Sequence, residues 1–286
     1  MKAVFIITYI VLVAALVFAT FFDLEITRML SGEMNTFFYV LSDMAYVPPY
    51  VIGFFSLIYL YYRLETFMKR LAHRRLRMLF LVVGGAGMTA MFVRSMRHLP
   101  YFIPLALLMV LMMILLTRVL AKRAIHAKLY EFDRLAPIAL FLIGGLFVSI
   151  AGLKVVIGRA RPYLVFENEA FFSPWFTLSL DLQSGRDFNS TPSGHIAFAT
   201  ICLWVVLVAF NVEKFRVHAK KVTVVVLMWI LLQTYLRILG GYHFITDAIF
   251  TILFTVAALH VLFFLALFIT GLVERKRFGA VDGESA

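Results

Sequence analysis

Eight stretches of this chain, roughly 3–22, 45–62, 78–94, 101–117, 136–154, 194–212, 222–239 and 246–270, run almost without charge for about the length of a membrane-spanning helix. A segment in the bilayer core must satisfy every backbone N–H and C=O internally, and about 20 apolar residues of α-helix do so. The composition agrees, at 63% hydrophobic and 15% charged residues, which excludes an ordinary soluble domain. The expected fold is an all-α, polytopic transmembrane helix bundle of eight spans. The stretches at 45–62 and 78–94 are short, and Gly84, Gly85 and Gly87 interrupt the second, so a six-span arrangement is the alternative. The first stretch is longer than a signal-peptide core and reads as an uncleaved anchor. No repeat or long linker divides the chain, so residues 1–286 are expected to form a single membrane-embedded domain.

The net charge of +11 carries information through its distribution. With the amino terminus inside and eight alternating spans, 19 of the 27 Lys and Arg fall on one side, as cytoplasmic loops require. That places both termini in the cytoplasm and makes the remaining outer cations exceptions: Arg28, Arg94, Arg97, Lys154, Arg159, Arg161, Arg186 and Arg237. Nucleic acid is not an expected partner, because no soluble basic domain is present to neutralise phosphates; the bilayer is. The single cysteine, Cys202, lies in an apolar stretch and reads as a small core residue.

Three outer segments hold polar residues at one depth. In KVVIGRARP, Lys154 and Arg161 are seven residues apart and would share a helical face if the helix persists to Pro162. In STPSGH, Ser190 and Thr191 are candidate caps, and Ser193, Gly194 and His195 open the sixth span, where unpaired N–H groups favour phosphate. In RILGGYHFITD, Arg237 precedes His243 and Asp247, and the latter two, four apart, can pair as imidazole and orienting carboxylate. Taken singly, each has a structural alternative: snorkelling end residues, an interfacial histidine, a structural hydrogen bond. Their coincidence on the side where cations are scarce points to a functional anion site. A metal is not expected, since His195, His243 and Asp247 are too few for a closed site and neighbouring cations would repel it. The outer stretches 23–44 and 163–193 are long enough to be functional. Their aromatic clusters, Phe37 and Phe38 in one and Phe171, Phe172, Trp175 and Phe176 in the other, suit a lipid-facing surface.

In order and spacing these segments resemble the type 2 phosphatidic acid phosphatase superfamily, integral-membrane lipid phosphatases related to vanadium haloperoxidases and glucose-6-phosphatase. The matching residues are Lys154, Arg161 and Pro162; Pro192, Ser193, Gly194 and His195; and Arg237, His243 and Asp247. Leu236 stands where that family usually has serine. The resemblance covers about 136–270 and implies a six-helix core, leaving an extra hairpin near 78–117. It implies metal-independent, cofactor-free hydrolysis of a phosphate monoester or pyrophosphate of a membrane lipid through a phosphohistidine. His243 would be the nucleophile, Asp247 its orienting group and His195 the general acid and base. Lys154, Arg161, Arg237, Ser193 and Gly194 would hold the phosphoryl oxygens. The substrate is expected among lipid A, undecaprenyl pyrophosphate, phosphatidylglycerophosphate and phosphatidic acid, at the periplasmic face of a bacterial inner membrane. Lipid-to-lipid phosphotransfer and a non-enzymatic lipid transporter or binding protein are the alternatives. Arg94 and Arg97, on the turn of the extra hairpin, are candidates for contacting a second anionic group, with snorkelling as the competing role.

Overall fold

The structure, a computed structural model, describes residues 2–67, 71–95, 102–179 and 185–283. Its twelve helices among the described residues are α1 (Lys2–Phe21), α2 (Asp23–Leu30), α3 (Thr36–Asp43), α4 (Val47–Phe67), α5 (Leu71–Ser95), α6 (Phe102–His126), α7 (Phe132–Ile157), α8 (Pro162–Glu167), α9 (Gly194–Ile201), α10 (Leu203–Asn211), α11 (Ala219–Leu239) and α12 (Ile245–Gly283). No strand occurs among the described residues. The protein is an all-α polytopic bundle.

Among the described residues the eight apolar stretches are largely helical, but six segments are long and apolar enough to cross a membrane. A seventh is added if α1 and α2, bent by 91° at Phe22, count as one. In α5 the apolar helix Arg77–Val93 is shorter and is not among the six. The extra hairpin is formed by α5 and α6, but its turn, with Arg97, lies outside the described residues, as does the side chain of Arg94.

The largest apolar cluster joins one face of α7 (Leu135, Leu142, Leu146) to Ile201 and Trp204 of α9 and α10, Tyr59 of α4 and Leu259 of α12. In a bilayer the lipid-facing side of each helix is equally apolar, so it is this interlocked face that fixes the arrangement. A second cluster packs Tyr50 and Phe54 of α4 on Phe92 of α5 and Val110 of α6. At one end Arg63 of α4 makes a two-point ion pair with Asp133 of α7, with Nη2 2.8 Å from Oδ2. At the other end of α7, about 30 Å away at 1.5 Å per residue, its carboxyl end meets the amino ends of α9 and α12 and the carboxyl end of α11. The polar residues singled out above gather there. A hollow of about 400 Å³ between α4, α5 and α6, lined by Phe54, Leu57 and Ile114 among others, contains none of them.

Candidate active site

The first segment does not run on as a helix. Gly158 adopts φ 55°, ψ 32° and ends α7, a left-handed conformation glycine takes without penalty. The chain then turns, Arg161 N–H donates to Asp187 O (2.9 Å), and Pro162 starts α8. Lys154 and Arg161 are therefore brought to the site by a turn, not by a shared helical face. Lys154 Nζ donates to Asn189 O at 2.8 Å, tying the end of α7 to the strip that leads into α9.

In that strip the cap is Ser193, whose Oγ accepts Ile196 N–H at 3.5 Å. Ser190 and Thr191, the expected caps, instead direct their hydroxyls to Asp247: Ser190 Oγ lies 2.5 Å from Oδ2, and Thr191 Oγ1 donates to Oδ1. The Ser193 amide is taken by Thr251 Oγ1 (2.9 Å). Gly194 faces open space, so that a methyl there would meet no protein atom within 4 Å.

His243 lies in the turn before α12, so the four-residue helical spacing to Asp247 does not apply to it. Its Nδ1 is 2.6 Å from Ser190 O and 3.9 Å from Asp247 Oδ2. The direct partner of the imidazole is thus a backbone carbonyl, which requires a proton on Nδ1 and leaves Nε2 with its lone pair. Asp247 acts one bond further back by fixing Ser190. It is fully buried, and its Oδ2 also accepts Phe244 N–H (2.9 Å). His243 is 2% exposed. Burial first, then the positive charges of Arg237, Lys154 and Arg161, hold its imidazole well below the usual histidine range. Three of the five expected phosphate ligands, the cations Arg237, Lys154 and Arg161, thus lie near enough to act on it electrostatically.

Arg237 is buried, and its Nη1 donates to Ser42 Oγ at 3.2 Å. Its Nε makes no hydrogen bond among the described residues. Tyr242 lies under two guanidinium groups, with Arg237 Cζ 4.2 Å and Arg161 Cζ 5.6 Å from its ring centroid. Cation–π contacts of this kind hold the cations in place while leaving N–H groups for an anion. Leu236, in the place of the usual serine, is fully buried. His195, at the start of α9, has Nε2 3.2 Å from Asp43 Oδ1 and Nδ1 3.3 Å from the Tyr46 hydroxyl.

Four participants were not found from the sequence. Arg159, one of the exceptional outer cations but outside the motif spacing, is 1% exposed and bonds Asp247 Oδ1 (2.6 Å) and Asp23 Oδ2 (2.6 Å). Phe244 covers its guanidinium, 4.0 Å from the ring centroid. Asp23, Ser42 and Asp43 come from the outer stretch 23–44, whose carboxylates carry no spacing that links them to residues 136 or more positions away. The aromatic clusters divide. Phe37, Phe171 and Phe176 are exposed, but Phe172 packs on Phe244, and Trp175 stacks on Phe250 and donates Nε1–H to Thr20 Oγ1 (3.0 Å).

Among the described residues no group of three or more His, Cys, Asp or Glu is arranged to hold a metal ion. Residues 134–272, just under half of the chain, match the sequence profile of the PAP2 superfamily. No curated protein and no solved structure matches the chain.

Proposed function

We propose, taking the match of residues 134–272 to the PAP2 superfamily as support for membership of that superfamily, that the protein is a phosphohydrolase acting on a phosphorylated membrane lipid. The observation that carries this reading is the buried His243, with Nδ1 committed to Ser190 O at 2.6 Å and Arg237, Lys154 and Arg161 around it. A neutral imidazole with one lone pair, in a ring of cations, has the charge pattern that in-line attack on a phosphate requires.

In this mechanism His243 Nε2 forms a bond to phosphorus as the phosphorus–oxygen bond to the lipid breaks. The leaving oxygen takes a proton from His195. Water then attacks the phosphohistidine, giving its proton back to His195, and the phosphorus–nitrogen bond breaks to release phosphate. Lys154, Arg161 and Arg237 balance the charge on the phosphoryl oxygens. Gly194 gives them room at the amino end of α9, where the amides of Ser193 and Ile196 are already taken by Thr251 Oγ1 and Ser193 Oγ. The substrate-binding face is the periplasmic side of a bacterial inner membrane, and the substrate is a lipid phosphate monoester or pyrophosphate.

The test is phosphate release in detergent, with chelator present, from phosphatidic acid, phosphatidylglycerophosphate, undecaprenyl pyrophosphate and lipid A. Release from at least one is expected, with an acid-labile phosphohistidine trapped by rapid quench and no release from His243→Ala. Undiminished release by that variant would end the nucleophile assignment, and activity that required an added metal would end the metal-independent mechanism.

A further inference from the structure

We propose that Asp43 is the positioning residue of His195: it fixes the proton on Nε2, so that Nδ1 becomes the nitrogen that exchanges a proton with the leaving oxygen and with water. The proposal rests on the phosphoryl-transfer reading above and concerns a residue well outside the segment that matches the superfamily.

The geometry begins with the backbone around Asp43. Leu41 O accepts from Gln233 Nε2 (2.9 Å) and Ser42 Oγ from Arg237 Nη1 (3.2 Å), both on α11. Asp43, the last residue of α3, bonds His195 on α9. Three consecutive residues are thus pinned to the two helices that carry catalytic groups, and the carboxylate is set by its neighbours. Tyr46, three residues on, packs tilted against the imidazole (centroids 4.5 Å apart, 59° between planes) and places its hydroxyl at Nδ1. Both ring nitrogens are engaged, but unequally. A carboxylate is acceptor only, so Nε2 must be the protonated nitrogen in either charge state. Nδ1 faces a hydroxyl, which can donate to a neutral ring and accept from a charged one.

The charge balance requires such a residue. His195 must carry an extra proton before the lipid–oxygen bond breaks, within reach of the positive charges of Arg237 on α11 and Lys154 on α7. A third cation there is unfavourable unless an anion adjoins it. Asp43 supplies that anion, at Nε2. In the first step the Nδ1 proton passes to the leaving oxygen, giving an alcohol and a neutral ring. In the second, Nδ1 takes a proton from water as oxygen attacks phosphorus. Asp43 keeps its charge throughout and exchanges no atoms.

The experiment compares wild type, Asp43→Asn and Asp43→Glu on two substrates, an alkyl lipid phosphate and p-nitrophenyl phosphate, whose leaving group needs no proton. Asp43→Asn is expected to lose about 10²-fold in the rate of phosphohistidine formation on the alkyl substrate, the size of a general-acid contribution, and little in that step on the aryl one, while hydrolysis of the common intermediate slows on both, with Asp43→Glu recovering part of each loss. In a His195→Ala background Asp43→Asn is expected to cost nothing further. An equal loss of phosphohistidine formation on both substrates, or additive losses in the double variant, overturns the proposal and leaves Asp43 a structural ion pair. His243→Ala, inactive on both substrates, separates this outcome from failure of the phosphohydrolase reading. If wild type released phosphate from neither substrate, the nitrogen-15 shifts of His195 would still decide. Asp43→Asn should convert an Nε2–H ring to a mixture of tautomers, and unchanged shifts would overturn the proposal.

Discussion

Arg159 lies between two carboxylates, 2.6 Å from each, in a site only 1% exposed. Removing one member of a buried ion cluster leaves the rest uncompensated, at a cost of about 3–5 kcal/mol. Arg159→Met should therefore lower the thermal midpoint in detergent sharply, and adding Asp23→Asn should recover part of the loss by removing one of the two stranded charges. A circular-dichroism melt of the three proteins checks both outcomes. His243 makes a prediction in pH. Its affinity for a proton is depressed, so it stays neutral and nucleophilic as pH falls through the ordinary histidine range near 6.5. The acid limb of phosphohistidine formation on an aryl phosphate should therefore lie well below that value. Arg237→Leu removes the second-largest cause of the depression and should move this limb to higher pH, besides costing about 10²–10³ in rate. At this scale the motif residues were legible because their order and spacing are local patterns. Arg159 was not, because a cation at a helix end looks the same in sequence whether it reaches water or is enclosed.

The amino end of α12 is capped from elsewhere in the chain. Thr246 N–H donates to Asp23 Oδ1 (3.0 Å) and Ile245 N–H to Thr27 Oγ1 (3.1 Å), both groups belonging to α2. Only Phe244 N–H finds a local acceptor, Asp247 Oδ2 at 2.9 Å, which is half of a capping box. Acidic oxygens at this end also meet the positive pole of the helix. Thr27→Val keeps the shape and loses the bond, so it should cost about 1 kcal/mol, read as a lower thermal midpoint, while leaving lipid specificity unchanged. These caps could not be read from sequence, since capping rules look within a few residues of the helix start and the partners here are 218 and 223 residues away. The helices themselves were legible, because apolar runs of this length have few alternatives. Their breaks were not: the 91° bend between α1 and α2 and the left-handed turn at Gly158 depend on what the chain packs against.

For the molecule as a whole, the site gathers at the end of the bundle opposite the Arg63–Asp133 pair, and the basic loops lie toward that other end. This arrangement predicts which positions an impermeant thiol reagent reaches. The native Cys202 is buried, so added cysteines report alone. In intact spheroplasts Glu169→Cys, near the site, should be labelled directly, and Lys128→Cys only after permeabilisation; the reverse pattern would place the site on the cytoplasmic side. The profile-matching half, residues 134–272, supplies the groups that were visible in sequence, whereas α2 and α3 supply Asp23, Ser42 and Asp43. Thr246, at the edge of the turn that carries His243, is held by Asp23 through both its amide and its hydroxyl. Asp23 leaves the ribosome more than two hundred residues before its partner. The turn that carries His243 therefore reaches its final form only after the last hydrophobic hairpin has been inserted beside the first helix, and until then a nascent chain holds the proposed site unassembled.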